Sequence, residues 1–84
     1  MRIYMQTQPN ADKPLRFYHL HLQKDLLGGW TLIRESGQQG ARGKVTREHF
    51  NHHEDALTAL STWRDKQINR GFTVVFVEGS TEHN

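Results

Sequence analysis

Arg16-Phe17-Tyr18-His19-Leu20-His21-Leu22-Gln23 sends Tyr18, Leu20 and Leu22 to one side and Phe17, His19 and His21 to the other. Side chains alternate faces along an extended chain, so this spacing predicts a strand with an aliphatic face and a mixed aromatic and histidine face. Just downstream, Gly28-Gly29 can supply the positive φ of a hairpin connection, and residues 30–35, beginning Trp30-Thr31-Leu32-Ile33, form its second arm. Upstream, Ile3 and Met5 alternate against Arg2, Tyr4 and Gln6 until Pro9, Asn10, Asp12 and Pro14 break the pattern, which leaves residues 8–15 as a loop.

Beyond the hairpin, Gly37, Gly40 and Gly43 recur every three residues before a further extended run over residues 44–50. Glycines at this density require a tight turn or a close backbone approach. Asn51 followed by Glu54, then Ala56, Leu57, Leu60, Trp63 and Gln67 at a period near 3.6, predict a capped amphipathic helix reaching about residue 69. Gly71 is placed to end it, and Val74-Val75-Phe76-Val77 follow as a last strand. That uninterrupted apolar run reads as a strand covered on both faces, central in the sheet. The expected fold is therefore α+β: an antiparallel or mixed sheet of about five strands with one α-helix packed on one face. It forms a single domain over residues 1–78, with residues 79–84 as a disordered tail.

Eighty-four residues suffice for one small core. The chain has no cysteine, which removes disulfides, thiolate nucleophiles and Cys-based zinc sites. No apolar leader or membrane-spanning run occurs, so a cytoplasmic protein without membrane attachment is expected. The net charge is +2, too small by itself to specify nucleic acid.

The chemistry concentrates in residues 34–48, where Arg34, Arg42, Lys44 and Arg47 stand against Glu35 and Glu48. Guanidinium and ammonium groups neutralise phosphates, and glycine N–H groups can approach a phosphate oxygen unobstructed. Three phosphates neutralised there would give a salt slope of about −2.7. Trp30 and Trp63 fall on apolar faces and are read as core. His19 and His21 at i and i+2 lack a third ligand at regular spacing, so no metal is expected, and His49, His52 and His53 bracket the helix start. No nucleophile, phosphate-loop or dinucleotide motif is present; neither catalysis nor a cofactor is expected.

Arg34-Glu35-Ser36-Gly37-Gln38-Gln39-Gly40-Ala41-Arg42-Gly43-Lys44 resembles the Trp-Gly-Arg region of the WGR domain family. The likeness extends to Phe17-Tyr18-His19-Leu20-His21-Leu22, similar to the family's Phe-Tyr-x-Leu-x-Leu strand. It also takes in Gly28-Gly29-Trp30, the helix over residues 51–60 and Arg70-Gly71-Phe72, and so covers about residues 2–76. Ser36 and Gln38 stand where the signature Trp and Arg fall, and Gly37 alone of the three is kept. The resemblance implies a sheet with one helix, and a nucleic-acid-binding role, since WGR domains beside poly(ADP-ribose) polymerase catalytic domains bind DNA ends and contact neighbouring domains. It also makes Gln38 a candidate contact residue.

Two expectations follow. The first is a non-catalytic nucleic-acid-binding module, with DNA the expected nucleic acid, using Arg34, Gln38, Arg42, Lys44 and Arg47 on a basic hairpin. The alternative is a protein-interaction module that has lost DNA binding, motivated by the apolar character of both faces of residues 16–23, with Phe17 available to a partner or a second copy.

Overall fold

A computed structural model describes residues 1–8 and 12–79. The chain runs β1 (Arg2–Thr7), β2 (Arg16–Lys24), β3 (Trp30–Gln38), β4 (Lys44–Phe50), α1 (His53–Asn69) and β5 (Phe72–Glu78). All strand pairings are antiparallel, and the sheet order is β4-β3-β2-β1-β5. This is the expected α+β architecture. Of the expected tail, residues 80–84 lie outside the described residues.

The alternation of β2 decides which face is covered. Tyr18, Leu20 and Leu22 are buried and join Ile3, Met5, Leu32 and Phe72 beneath Ala56 and Leu60 of α1. Burying side chains of this size contributes about 1.5–3 kcal/mol each. Trp30 packs against this core with its ring centroid 4.2 Å from that of His53. The opposite face carries no helix. There Tyr4 stacks between Phe17 and Phe76, at centroid distances of 6.2 and 5.6 Å, and His19 stacks on His21.

The three hairpin glycines serve two purposes. Gly40 turns the chain with φ of 85°, as its place between β3 and β4 requires. Gly37 and Gly43 instead face each other: a Cβ on Gly43 would lie 3.0 Å from both the Ser36 carbonyl oxygen and the Phe17 ring. Bare backbone here lets the hairpin close over the Phe17 edge.

Two sequence expectations are corrected. Asn51 does not cap α1: the N-cap is His52, which makes no side-chain capping bond, because β4 runs to Phe50 and the Asn51 carboxamide oxygen is taken by His49 Nε2 at 3.0 Å. β5 is an edge strand, not a central one, and Val74, Val75, Phe76 and Val77 are exposed. The apolar run is real, but β5 pairs with β1 alone and α1 lies over its first residue, Phe72. The helix end is as expected, with Arg70 as C-cap and Gly71 at φ of 103°.

Candidate nucleic-acid interface

Strand alternation and register sort the predicted basic residues. Arg34 pairs with Leu20 and with Thr46, and Ser36 pairs with Tyr18 and with Lys44. Residues opposite each other across strands share a face, so Arg34, Ser36, Lys44 and Thr46 lie on the α1 side. Arg47, three residues beyond Lys44, falls on the helix-free face opposite Ile33. Gln38 and Arg42 are exposed at the hairpin end. The hairpin thus brings Arg34 and Lys44 together, sets Gln38 and Arg42 at its tip and turns Arg47 away.

Helix α1 supplies what the hairpin alone lacks. Trp63, Lys66, Gln67 and Arg70 recur at i, i+3, i+4 and i+7, the spacing of one helical face. With Arg34, Ser36, Lys44, Thr46 and Tyr18 they enclose a cavity of about 210 Å³. Four of the chain's eleven Lys and Arg residues line it, and no Asp or Glu does. Among the described residues the ion pairs are Arg2–Glu78, His49–Asp25 and Arg64–Asp65, so Glu35 and Glu48 neutralise none of these four cations.

The cavity walls hold unspent donors. The Arg34 guanidinium carbon sits 3.8 Å from the centroid of Trp63, and Lys66 Nζ is 4.9 Å from the same ring. Arg34 Nε is buried with no hydrogen-bond partner among the described residues. Gln67 is fully buried; its Oε1 accepts from Arg70 Nη1 at 3.0 Å, while its Nε2 donates to nothing among the described residues. Buried donors without acceptors are costly, and here they stand beside four cations.

A second cavity, of about 440 Å³, opens at the same end of the sheet between Thr7, Gln8, Lys13, Pro14, Arg16 and Gln38. Ser36 lines the first cavity and Gln38 the second, so the two positions that fall on the family's signature Trp and Arg each open onto a basic recess.

Lys66, Arg70, Lys13 and Arg16 were missed by sequence reasoning. For the first two, the i, i+3, i+7 spacing from Trp63 was the available signal.

Away from this end, Asp25 ties the β2–β3 connection to β4. Its Oδ1 accepts from Gly29 N and Leu27 N, each at 2.9 Å, and its Oδ2 accepts from Thr31 Oγ1 at 3.1 Å and lies 2.7 Å from His49 Nδ1. The Gly29 amide, followed by the other donors, holds the Asp25 carboxyl below its usual range. Hydrogen bonds to Asn51 and then Asp25 raise His49 above the ordinary imidazole value. On the helix-free face, burial first and the nearby positive charge of Arg2 second lower His19; burial, then the N-terminal ammonium and Arg2, lower His21.

One α-helix lies on one face of a five-stranded antiparallel sheet, and a basic recess opens between that helix and the β3–β4 hairpin. The chain belongs to the WGR domain family, whose model matches residues 1–75. It is also similar to the uncharacterized protein y4dW of Sinorhizobium fredii (strain NBRC 101917 / NGR234), with 25% identity over 71 residues. That match takes in 84% of this chain and 35% of y4dW, so the chain spans about a third of its curated relative's length. Among the described residues no helix is long and apolar enough to cross a membrane.

Proposed function

We propose that this WGR domain is a non-catalytic nucleic-acid-binding module that takes backbone phosphate at the end of the sheet where the β3–β4 hairpin meets α1. One observation carries the reading: Arg34, Lys44, Lys66 and Arg70 converge on a single recess that contains no carboxylate. A phosphate diester offers oxygens to cations and to neutral N–H donors at once, which suits this wall chemistry. Gln38 and Arg42 on the exposed hairpin tip, with Lys13 and Arg16 in the neighbouring recess, extend the contact along a strand.

The same chemistry sets the character of the binding. With Ser36 in place of an aromatic, the stacking contribution of about 1–3 kcal/mol per base is missing at that position. Affinity then rests on charge, with little sequence preference, because phosphate contacts position without reading bases. Four cations on phosphate predict a salt slope of about −3.6.

Fluorescence anisotropy with labelled duplex, nicked and single-stranded oligonucleotides at about 50 and about 200 mM salt tests this. Binding at the lower salt that is abolished by Lys66→Glu with Arg70→Glu, and kept by Arg47→Glu, supports the reading. Absence of binding at the lower salt, or indifference to the paired reversal, refutes it and leaves the protein-interaction alternative.

A further inference from the structure

One residue on the core face of α1 breaks its apolar pattern. The buried positions of the helix are Ala56, Leu60 and Gln67, spaced as one helical face, and the first two are apolar as a sheet-covering helix requires. Gln67 is 0% exposed and is the only buried polar side chain among the described residues. A carboxamide there costs free energy unless both its ends are hydrogen-bonded, and an apolar side chain of similar size would pack without that cost. Only one end is bonded: Oε1 accepts from Arg70 Nη1 at 3.0 Å, and Nε2 has no partner among the described residues.

Arg70 fixes the chemistry of the free end. A guanidinium can only donate, so the carboxamide atom facing it is the oxygen, and the atom left over is a donor. The second unpartnered atom of the recess, Arg34 Nε, is a donor as well. Gln67 and Arg34 come from α1 and β3 and line the same recess, together with Lys44, Lys66 and Arg70. Two buried donors among cations, with no carboxylate beside them, call for a ligand that brings acceptor oxygens and negative charge together. Gln67 is closed to bulk solvent, so it is met only by a group that enters the recess itself.

We propose that Gln67 fixes a backbone phosphate in this recess, its Nε2 donating to one phosphate oxygen while Arg34 Nε donates to another. The inference rests on the phosphate reading given above and adds an uncharged contact to it. The cations' share of the affinity comes from counterion release and falls with salt. A neutral amide releases no counterion, so its share is the same at every salt concentration.

Anisotropy titrations of one labelled duplex at several salt concentrations between about 50 and about 200 mM test this, with the parent chain, Gln67→Met and Lys66→Met. Methionine is close to glutamine in size and carries no amide, and thermal melts establish that each variant is folded at the temperature of the titration. Gln67→Leu replaces Gln67→Met if the latter does not fold. The expected result is that Gln67→Met binds about 10- to 100-fold more weakly at every salt concentration, with the slope of log K against log salt unchanged. Lys66→Met, by contrast, lowers the slope by about 0.9, the share of one phosphate contact. Binding by Gln67→Met as tight as that of the parent overturns the inference. So does a slope flattened as in Lys66→Met, which means that Gln67 serves only to hold Arg70 in place. In both cases the parent still binds and the phosphate reading stands, whereas a parent chain that fails to bind at about 50 mM salt overturns the two together.

Discussion

The guanidinium carbon of Arg34 lies 3.8 Å from the ring centroid of Trp63, a contact that joins β3 to α1 directly over the basic recess. Arg34 is held by an aromatic ring and not by a carboxylate, so its charge is positioned without being neutralised. Lys66 uses the same ring, at 4.9 Å. Trp63 is at once part of the partly buried layer against the core and the support for two of the four cations.

Replacing Trp63 by leucine is expected to cost about 1–3 kcal/mol, from lost packing and lost cation–π contact together. Urea denaturation measures that loss. At a temperature where the variant remains folded, oligonucleotide anisotropy should show weaker binding as well, because Arg34 and Lys66 no longer share a fixed support.

The hairpin glycines are expected to differ in their response to alanine. Gly43→Ala presses a methyl group against the Ser36 carbonyl and the Phe17 ring at 3.0 Å and should destabilise by about 1–3 kcal/mol. Gly40→Ala meets no neighbour within 4 Å but places alanine at a φ of 85°, for a cost of about 1–2 kcal/mol. Thermal melts of the two variants against the parent chain check both.

Three histidines predict opposing pH dependences. His49 is raised by Asn51 and Asp25, so its stabilising contribution is complete below the ordinary 6.5 and is lost as pH rises through its higher folded value. His19 and His21 are lowered, first by burial, so the stability they permit is full above 6.5 and declines as pH falls towards their lower folded values. His49→Gln should flatten the alkaline side of a melting-temperature profile, and His19→Gln with His21→Gln should flatten the acid side. An unchanged profile in either variant counts against the corresponding assignment.

Much of the fold was legible because period and parity are local. The alternation of Tyr18, Leu20 and Leu22, the glycine-marked turns and the 3.6 spacing of α1 each fixed an element without knowledge of its neighbours. The place of β5 was not legible, since an apolar run such as Val74-Val75-Phe76-Val77 looks the same whether the chain covers it or leaves it open. Half of the recess was visible as Arg34 and Lys44, close together in sequence. Helical spacing puts Lys66 and Arg70 on the face of Trp63, but that this face meets Arg34 and Lys44 follows from how α1 lies on the sheet, which no local pattern encodes. The separation of Arg47 was available all along, because residues three apart on a strand face opposite ways.

A heteronuclear NMR titration of the labelled chain with a short duplex at low salt tests the central claim most directly. The account predicts that the Trp63 indole N–H and the Gln67 side-chain amide shift first, together with backbone amides around Ser36 and Lys44, while those of Tyr4, His19 and Val75 hold their positions. Shifts confined to the helix-free face, or none at all around Trp63 and Gln67, would contradict it.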